Sequence, residues 1–547
     1  MDSFLNPVHG FAKSPPARNE ALRDYRPGSA ERASLRHTLA ELTKGQLDLP
    51  LVIGGREVRT GHLESAVMPH NHRHVLASAH LAGQAQIADA IEAARTAQAT
   101  WANASFSDRA AIFLKAADLL SGPWRDRLNA ATMLGQSKTA HQAEIDSAAE
   151  LIDFWRFNVE FARRIYAEQP ISSSGVWNQA DYRPLEGFVY AATPFNFTAI
   201  AGNLPTAPAL MGNTVVWKPS TTAKYSAHFV MALLREAGLP DGVINLLYAD
   251  GAAAAAQILA EPTLAGIHFT GSTPVFRGML RTIGERMDTY LTFPRVVGET
   301  GGKNFLVAHQ SADVEALACA IIRGAYEYQG QKCSAASRIF VPGAIWPALR
   351  ERLVDEIATI RVGDVADFGN FMGAVIDERA WRRHMSVFDK ARSEAGAEIL
   401  AGGTGSMEQG YFVKPTLIVS NDLMSSLFTE EFFGPIATVF VYRDEDYGAI
   451  LDAVDRQSAF GLTGSIFARD RNAIAEATRK LRNAAGNFYV NDKPTGAVVG
   501  QQPFGGARSS GTNDKAGSIW NLTRWTSPRA IKETLVPPTD YRYPFMQ

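Results

Sequence analysis

The chain has 547 residues, of which 46% are hydrophobic and 20% are charged, and its formal net charge is −2. This length exceeds what one hydrophobic core supports and predicts two or three domains. The balanced charge argues against nucleic-acid binding, and no apolar run approaches the roughly 18 residues of a membrane span. Two cysteines, Cys319 and Cys333, cannot form a disulfide framework, and their scarcity indicates a reducing compartment such as the cytoplasm.

The N-terminal 45 residues mix Arg, Ala and Glu with several prolines, and we interpret them as short helices that wrap around a larger body. Residues 1–7 lack a basic region followed by an apolar region, so a secretory signal is not expected. A transit peptide is disfavoured by the acidic residues Glu20, Asp24, Glu31 and Glu41.

Regular structure is predicted next. Residues 51–58 indicate a strand and a turn, and apolar spacing predicts helices over 84–101, 107–121 and 143–167. Residues 171–184 then become polar, which predicts a protruding hairpin rather than a linker.

Strands and helices alternate from Gly187 onward. Apolar runs predict strands at 188–192, 214–217, 243–248 and 266–269, and helices at 223–237, 252–259 and from about Pro274. After Gly302 the alternation restarts, with strands at 304–308 and 337–341 and helices at 313–328 and 346–360. Each set favours a parallel sheet covered by helices, and clefts form where two such domains meet.

Cys333 lies in the polar run Gly330-Gln331-Lys332-Cys333-Ser334, which favours a nucleophile over a buried hydrophobe. The neighbouring Lys332 can help to stabilise its thiolate. Cys319, by contrast, falls on the apolar side of the helix predicted at 313–328, and we expect it to be buried.

Two polar residues can assist that nucleophile. Glu299 is flanked by glycines that permit a close backbone approach, and its carboxylate can act as a base; a surface carboxylate is the alternative. Asn196 is either a turn residue or an amide donor. As a donor it would form an oxyanion hole with the Cys333 N–H, worth about 3–4 kcal/mol per donor.

Two weaker signals point to a dinucleotide. Gly271 and Ser272 end a strand and open a helix, an arrangement that can hold a pyrophosphate, but no G-x-G-x-x-G motif is present. Lys218 can bind ribose hydroxyls, with a surface lysine as the alternative.

His70, His72 and His74 would share one face of a strand and so resemble a metal patch. Pro69 and Asn71 indicate a turn instead, and no carboxylate or cysteine cluster accompanies the histidines, so no metal site is expected.

Six short sequence motifs, taken in their order along the chain, resemble the NAD(P)-dependent aldehyde dehydrogenase family over roughly residues 50–535. They are Pro194-Phe195-Asn196-Phe197, Trp217-Lys218-Pro219-Ser220, Phe269-Thr270-Gly271-Ser272, Glu299-Thr300-Gly301-Gly302-Lys303-Asn304, Gly330-Gln331-Lys332-Cys333-Ser334 and Glu430-Glu431-Phe432-Phe433-Gly434-Pro435. The resemblance implies an α/β aldehyde dehydrogenase fold. Its parts would be a Rossmann-like NAD-binding domain (1–170 and 187–297), an α/β catalytic domain (298–514) and a β oligomerisation flap (171–186 and 515–547). At least a homodimer is implied.

The resemblance also assigns roles. Cys333 would be the nucleophile, Glu299 the base and Asn196 the oxyanion donor. NAD would be held by Thr193, Pro194, Phe195, Lys218, Ser220, Gly271, Ser272, Val275, Glu431 and Phe433. A small-molecule aldehyde would be bound by Glu150, Phe197, Lys332, Ser334, Gly496, Ala497 and Phe504.

Further strings resemble the branch that oxidises L-glutamate γ-semialdehyde, formed from 1-pyrroline-5-carboxylate in proline catabolism, to L-glutamate. They are Glu144-Ile145-Asp146, Glu150-Leu151-Ile152-Asp153-Phe154 and the segments 500–508, 510–514 and 524–529. In that branch the backbone of Thr495-Gly496-Ala497, with Ser334, would anchor the α-carboxylate. Phe197 and Phe504 would sandwich the aliphatic chain, and Glu150 would pair with the α-ammonium.

Alternatives stay open on the sequence. Thr221 stands where many NAD-using relatives have glutamate, which leaves NADP open, and Ala497 replaces a common serine. Another ω-semialdehyde, such as succinate semialdehyde, is the nearest alternative substrate. Acyl transfer to a thiol is disfavoured by Glu299, and a non-catalytic binding role is disfavoured by the intact Cys333, Glu299 and Asn196.

Overall fold

The computed structural model describes residues 13–546, so the segment predicted to lack a secretory signal lies outside the described residues. Two seven-stranded sheets dominate the structure, with apolar cores packed around them. The predicted α/β fold is confirmed. Among residues 13–546, no helix is long and apolar enough to cross a membrane.

The first sheet is built mainly from parallel strands. Its order is Arg295–Glu299, Leu264–Thr270, Phe188–Thr193, Thr214–Pro219, Ile244–Leu246, Leu51–Ile53 and Arg56–Val58. The first five strands are parallel, and the last two form an antiparallel hairpin at the edge. Every residue of Phe188–Thr193 is buried, as expected for a central parallel strand.

The first helix of the N-terminal half, Ala30–Lys44, lies in the segment predicted to wrap around the body. Among the described residues, this half has ten α-helices. They are Ala30–Lys44, Gln84–Trp101, Phe106–Ser121, Arg125–Gln136, Ala140–Ala143, Leu151–Ala167, Thr198–Leu210, Lys224–Ala237, Gly251–Ile258 and Thr273–Glu285. The helix predicted over 143–167 is only partly an α-helix, because Glu144–Glu150 forms a π-helix. Asp146 and Glu150 lie in this segment, and both interact with Lys138.

The second sheet has the order Ala397–Ala401, Thr416–Ser420, Ile436–Tyr442, Ala336–Pro342, Asn304–Ala308, Thr463–Phe467 and Asn487–Val490. Only its first strand is antiparallel to its neighbour. The helices of this half are Val314–Tyr326, Trp346–Thr359, Glu378–Ser393, Ser426–Thr429, Tyr447–Gln457, Arg471–Lys480 and Ile519–Thr523.

Cys319 is exposed, so the prediction that it is buried is wrong. Leu317 and Ile321, four residues apart, lie on the buried face of Val314–Tyr326. A residue midway between them in sequence points to the opposite side of an α-helix, which explains the exposure of Cys319.

Smaller sheets complete the structure. A three-stranded sheet has the order Leu47–Leu49, Asn71–His80 and Leu63–Met68, and two short pairs join Gly405–Ser406 to Phe412–Val413 and Phe460–Gly461 to Ala507–Arg508. His70 lies in the turn before Asn71–His80, whereas His72 and His74 lie on that strand. Within the described part of the chain, no cluster of three or more potential metal ligands forms.

The hairpin predicted at 171–184 is wrong. Val176–Arg183 is a single strand, and its antiparallel partner is Ser527–Thr534. These two strands are called the flap below. The prediction failed because Arg183 and Ser527 are 344 residues apart, so no local pattern connects them. The predicted domain boundaries stay predictions, and the strand Arg295–Glu299 crosses the boundary at 297/298.

Candidate active site

The site lies at the carboxyl edge of the first sheet. Strand register places Thr193 beside Pro219 and Thr270 beside Glu299. Parallel strands end at the same edge, so the residues that follow them gather there. The predicted residues at 193–197, 218–220, 271–272 and 299 therefore share one edge of the sheet.

A strained backbone precedes Cys333, in the loop that leads to Ala336–Pro342 of the second sheet. Tyr328, Gln329 and Gly330 have φ angles of 52°, 55° and 64°, all in the left-handed region. A Cβ on Gly330 would overlap the Gly434 carbonyl, which explains the glycine. Left-handed conformations of non-glycine residues cost about 1–3 kcal/mol each and persist only where other contacts hold them.

Side-chain amides supply those contacts. Gln329 Nε2 donates to two backbone carbonyls at 3.0 and 2.7 Å, and Gln331 Oε1 accepts a backbone N–H at 2.9 Å. Asn304 Nδ2 donates to the Cys333 carbonyl at 2.7 Å. The position of the thiol is therefore set by contacts on both sides of its loop.

The surroundings of Cys333 favour the neutral thiol over the thiolate. Burial raises its pKa, and the nearby carboxylates of Glu299, Glu431 and Glu150 raise it further. A neutral thiol is a weak nucleophile, so a base must take its proton as it attacks.

Glu299 can be that base. Its Oε1 accepts the Gly506 N–H at 3.0 Å, and its buried Oε2 has no hydrogen-bond partner among the described residues. Burial raises the pKa of Glu299 to about 8. A carboxylate that titrates near neutrality can both accept and release protons during turnover.

Asn196 lies beside the thiol loop. Its buried side chain donates from Nδ2 to the Gln331 carbonyl at 3.1 Å, two residues before Cys333. One amide hydrogen is left for another acceptor. In the described structure, no backbone carbonyl accepts from the Cys333 N–H. Both donors remain available for an oxyanion, and the hole stays a prediction.

Near the adenosine end of the predicted NAD site, two helices begin. The Lys218 ammonium lies at the start of the helix Gly251–Ile258. A Cβ added to Gly251, the first residue of that helix, would be 3.4 Å from Lys218 Nζ. Burial lowers the pKa of Lys218. Ser272 is the N-cap of Thr273–Glu285 but makes no side-chain capping bond, so the first N–H groups of that helix are open to an anion.

At the nicotinamide end, Glu431 Oε1 accepts the Gly302 N–H at 2.7 Å, and burial raises the pKa of Glu431 to about 7. A Cβ on Gly301 would overlap the Glu431 carboxylate. The Phe433 ring lies edge-on to Phe195, with 5.8 Å between centroids.

The other predicted cofactor residues have less distinctive surroundings. Thr193 Oγ1 accepts from Trp217 Nε1 at 3.0 Å, and Ser220 Oγ lies 3.2 Å from Thr222 Oγ1. Val275 is half exposed on its helix, and Pro194 is buried directly after Thr193.

The predicted carboxylate-binding loop is joined to the thiol loop. Ser334 Oγ lies 2.7 Å from Thr495 Oγ1. Gly496 follows with φ of 95°, a conformation that favours glycine, and it is exposed beside half-buried Ala497. The backbone of Phe504 is hydrogen-bonded to that of residue 516, and Gly506, two residues after Phe504, donates to Glu299.

The two charged residues predicted to bind substrate, Glu150 and Lys332, differ in whether they have a partner in the fold. No described residue donates a hydrogen bond to the Glu150 carboxylate, and burial raises its pKa well above the usual value. The Lys332 ammonium donates to Glu327 at 3.0 Å. The prediction that Lys332 stabilises the Cys333 thiolate stays a prediction, and the observed partner of the ammonium is Glu327, five residues earlier.

Sequence reasoning missed Lys138. Its buried ammonium lies 4.1 Å from the Phe197 ring centroid and 4.4 Å from that of Tyr328, and it donates to Asp146 at 2.6 Å. Asp146 in turn accepts the first two N–H groups of Thr198–Leu210, directly after Phe197. The string around Asp146 marked the region, but no local pattern indicates that Lys138 is buried there.

Comparisons with known proteins agree with this geometry. The family model described as Aldehyde dehydrogenase family matches residues 59–531. The chain is 50% identical over 531 residues to mitochondrial delta-1-pyrroline-5-carboxylate dehydrogenase of Mus musculus, covering 97% of this chain and 94% of the relative. It is 49% identical over 536 residues to delta-1-pyrroline-5-carboxylate dehydrogenase of Agaricus bisporus, covering 97% and 98%. The crystal structure of the delta-pyrroline-5-carboxylate dehydrogenase from Mycobacterium tuberculosis bound with NAD matches with a TM-score of 0.96 at 53% identity, covering 99% and 100%.

Proposed function

The chain belongs to the aldehyde dehydrogenase family, and from this premise we propose that it oxidises L-glutamate γ-semialdehyde to L-glutamate with NAD. The semialdehyde is the open form of 1-pyrroline-5-carboxylate, and the reaction belongs to proline catabolism. The observation that carries the proposal is the meeting of a thiol, a base and an unpaired carboxylate: Cys333, Glu299 and Glu150. The relatives at 49–50% identity bear the name of this activity.

The residues present fit NAD. The uncapped N-terminus of the helix that follows Ser272 would bind the pyrophosphate, and Lys218 would bind the adenosine ribose. Glu431, whose carboxylate lies against Gly301, would bind the nicotinamide ribose. Phe433 would pack beside the nicotinamide. When bound, NAD accepts a hydride from the substrate carbon.

Attack begins at the thiol. Cys333 Sγ adds to the aldehyde carbon while Glu299 takes the thiol proton. Asn196 Nδ2 and the Cys333 N–H donate to the oxyanion that forms. Departure of hydride from the same carbon leaves a thioester on Cys333.

Hydrolysis completes the cycle. Glu299, after releasing the first proton to solvent, takes a proton from the water that attacks the thioester. The C–S bond breaks, glutamate leaves, and the Cys333 thiol is restored. Burial and a pKa of about 8 suit Glu299 to both proton transfers.

Glu150 is expected to select the amino-acid aldehyde. Its carboxylate has no hydrogen-bond donor among the described residues, so a substrate ammonium would be its first partner. Glu150→Gln is expected to raise the KM for glutamate γ-semialdehyde about 30-fold or more, as truncation of a buried charged partner does. Steady-state kinetics with NAD measure this.

Glutarate semialdehyde is the matched control, because it has the same carbon chain without the ammonium. Its kinetic constants are expected to change little in Glu150→Gln. An equal loss for both substrates would contradict the assignment of Glu150. Faster oxidation of succinate semialdehyde than of glutamate γ-semialdehyde by the unmodified enzyme would favour the alternative substrate.

We also propose that the chain forms a homodimer or larger homo-oligomer through the flap. A two-stranded sheet is marginal alone, and Trp177 on the flap and Val536 just beyond it are 55% and 81% exposed. Sedimentation is expected to give a mass at least twice the 59.4 kDa of one chain. Trp177→Asp is expected to shift it toward the monomer, and a monomeric unmodified protein would contradict the proposal.

A cytoplasmic location is proposed as well. Both described cysteines are free, as in a reducing compartment. Cell fractionation measures this, and recovery in mitochondria, the location given for the Mus musculus relative, would contradict it.

A further inference from the structure

A single peptide group connects Lys515 to Glu299. Lys515 Nζ donates to the Gly505 carbonyl at 2.8 Å and to the Gly486 carbonyl at 2.7 Å. The N–H of the next residue, Gly506, donates to Glu299 Oε1 at 3.0 Å. The amide between Gly505 and Gly506 therefore has a cation at its oxygen and the carboxylate at its hydrogen.

The chain on both sides of Lys515 holds this arrangement. Lys515 has a φ of 51°, which is uncommon for a lysine and requires supporting contacts. Ala516 and Phe504 exchange two backbone hydrogen bonds at 2.8 and 3.0 Å. Two more backbone bonds, each 2.9 Å, join residues 510 and 512 to the residues on either side of Glu299. The 504–516 loop is thus bonded directly to the strand that ends in Glu299.

Three titratable or charged groups face the Glu299 carboxylate. Lys515 and Asp514 come from the 504–516 loop, and the thiol of Cys333 comes from the second sheet. Lys515 favours the ionised carboxylate, and Asp514 opposes it. The described mechanism leaves both loop residues without a role.

We propose that Lys515 is a positioning residue for the general base: it orients Glu299 through the Gly505–Gly506 peptide and favours the ionised carboxylate when water attacks the thioester. This inference rests on the proposed function, because it concerns the base of that reaction. Hydrolysis of an acyl-enzyme isolates the step, since it needs neither NAD nor the natural substrate.

The test compares Lys515→Gln with Lys515→Arg across neutral and alkaline pH. p-Nitrophenyl acetate acylates Cys333 in a burst of p-nitrophenolate, and the steady rate that follows reports deacylation. Glu299 must be ionised to act, so this rate rises with pH through its pKa. Lys515→Gln is expected to move the midpoint up by about one unit, with about 10-fold slower deacylation below it and a near-normal rate well above it.

Lys515→Arg keeps the charge and is expected to keep the midpoint of the unmodified enzyme. Asp514→Asn removes the opposing charge and is expected to move the midpoint down, which tests the inference even where Lys515→Gln does not fold. If Lys515→Gln lowered the deacylation rate by the same factor at every pH, the role of Lys515 would be merely structural and the inference would be overturned. An Arg variant that shifts as far as the Gln variant, or an unmoved midpoint in Asp514→Asn, would also overturn it.

The two proposals fail separately. An unmodified enzyme that does not oxidise glutamate γ-semialdehyde would overturn the proposed function, whereas the deacylation profile does not use that substrate. If the unmodified enzyme oxidised glutamate γ-semialdehyde and the pH profile of deacylation in Lys515→Gln were unshifted, only the role of Lys515 would be overturned.

Discussion

Cys333→Ala is expected to abolish aldehyde oxidation while NAD still binds. Cys333 Sγ is the only protein atom that forms a covalent bond to substrate in the proposed mechanism, so its removal leaves no path to a thioester. Loss of a covalent nucleophile lowers turnover by at least about 10⁴-fold in enzymes where it has been separated from binding. NADH formation measures turnover, and calorimetric titration measures NAD affinity.

Cys319→Ala is the matched control. Cys319 is exposed on Val314–Tyr326, so its loss is expected to leave both quantities unchanged. Unchanged turnover in Cys333→Ala would remove the mechanism. Equal losses in the two cysteine variants would show that the effect comes from the protein as a whole and not from the nucleophile.

Glu299→Gln is expected to separate the two halves of the reaction. The thiol proton can pass to solvent bases, but the attacking water needs a base fixed beside the thioester. An NADH burst is therefore expected to survive, followed by a steady rate lower by about 10²–10⁴-fold. Rapid-mixing absorbance of NADH measures both phases.

The pH profile gives a second criterion for Glu299. Burial raises its pKa to about 8, so the steady rate of the unmodified enzyme is expected to rise with pH through that value. The rise is expected to disappear in Glu299→Gln and to persist in Glu398→Gln, a surface control on Ala397–Ala401. A normal steady rate after the burst in Glu299→Gln would contradict its role.

Much of the core architecture could be predicted because its causes are local. Central parallel strands such as Phe188–Thr193 are buried throughout, and continuous apolar runs therefore mark them. Loops that follow such strands meet at one edge, so Asn196 and Glu299 could be placed near one another without coordinates. Cys333 was separable from Cys319 by its polar neighbours.

Some of what sequence reasoning missed depends on contacts between residues distant in sequence, and some on local geometry that periodicity does not resolve. Lys138 and Lys515 contribute through bonds to residues that the fold brings near, and neither lies in a string with a known pattern. Periodicity over 143–167 indicated a helix but could not distinguish a π-helix from an α-helix. Lys332 lies beside Cys333 in sequence, but its pairing with Glu327 could not be predicted from that neighbourhood.

The flap has a consequence for how the protein is made. Arg183 is synthesised 344 residues before Ser527, so the first flap strand leaves the ribosome without its partner for roughly 20–70 s at ordinary elongation rates. During that time Trp177 and an unpaired strand edge are open to chaperones and to other nascent chains. In the proposed oligomer, subunits joined through the flap would assemble only after the second strand emerges, and a chain that stops before residue 527 would lack the strand that completes the flap.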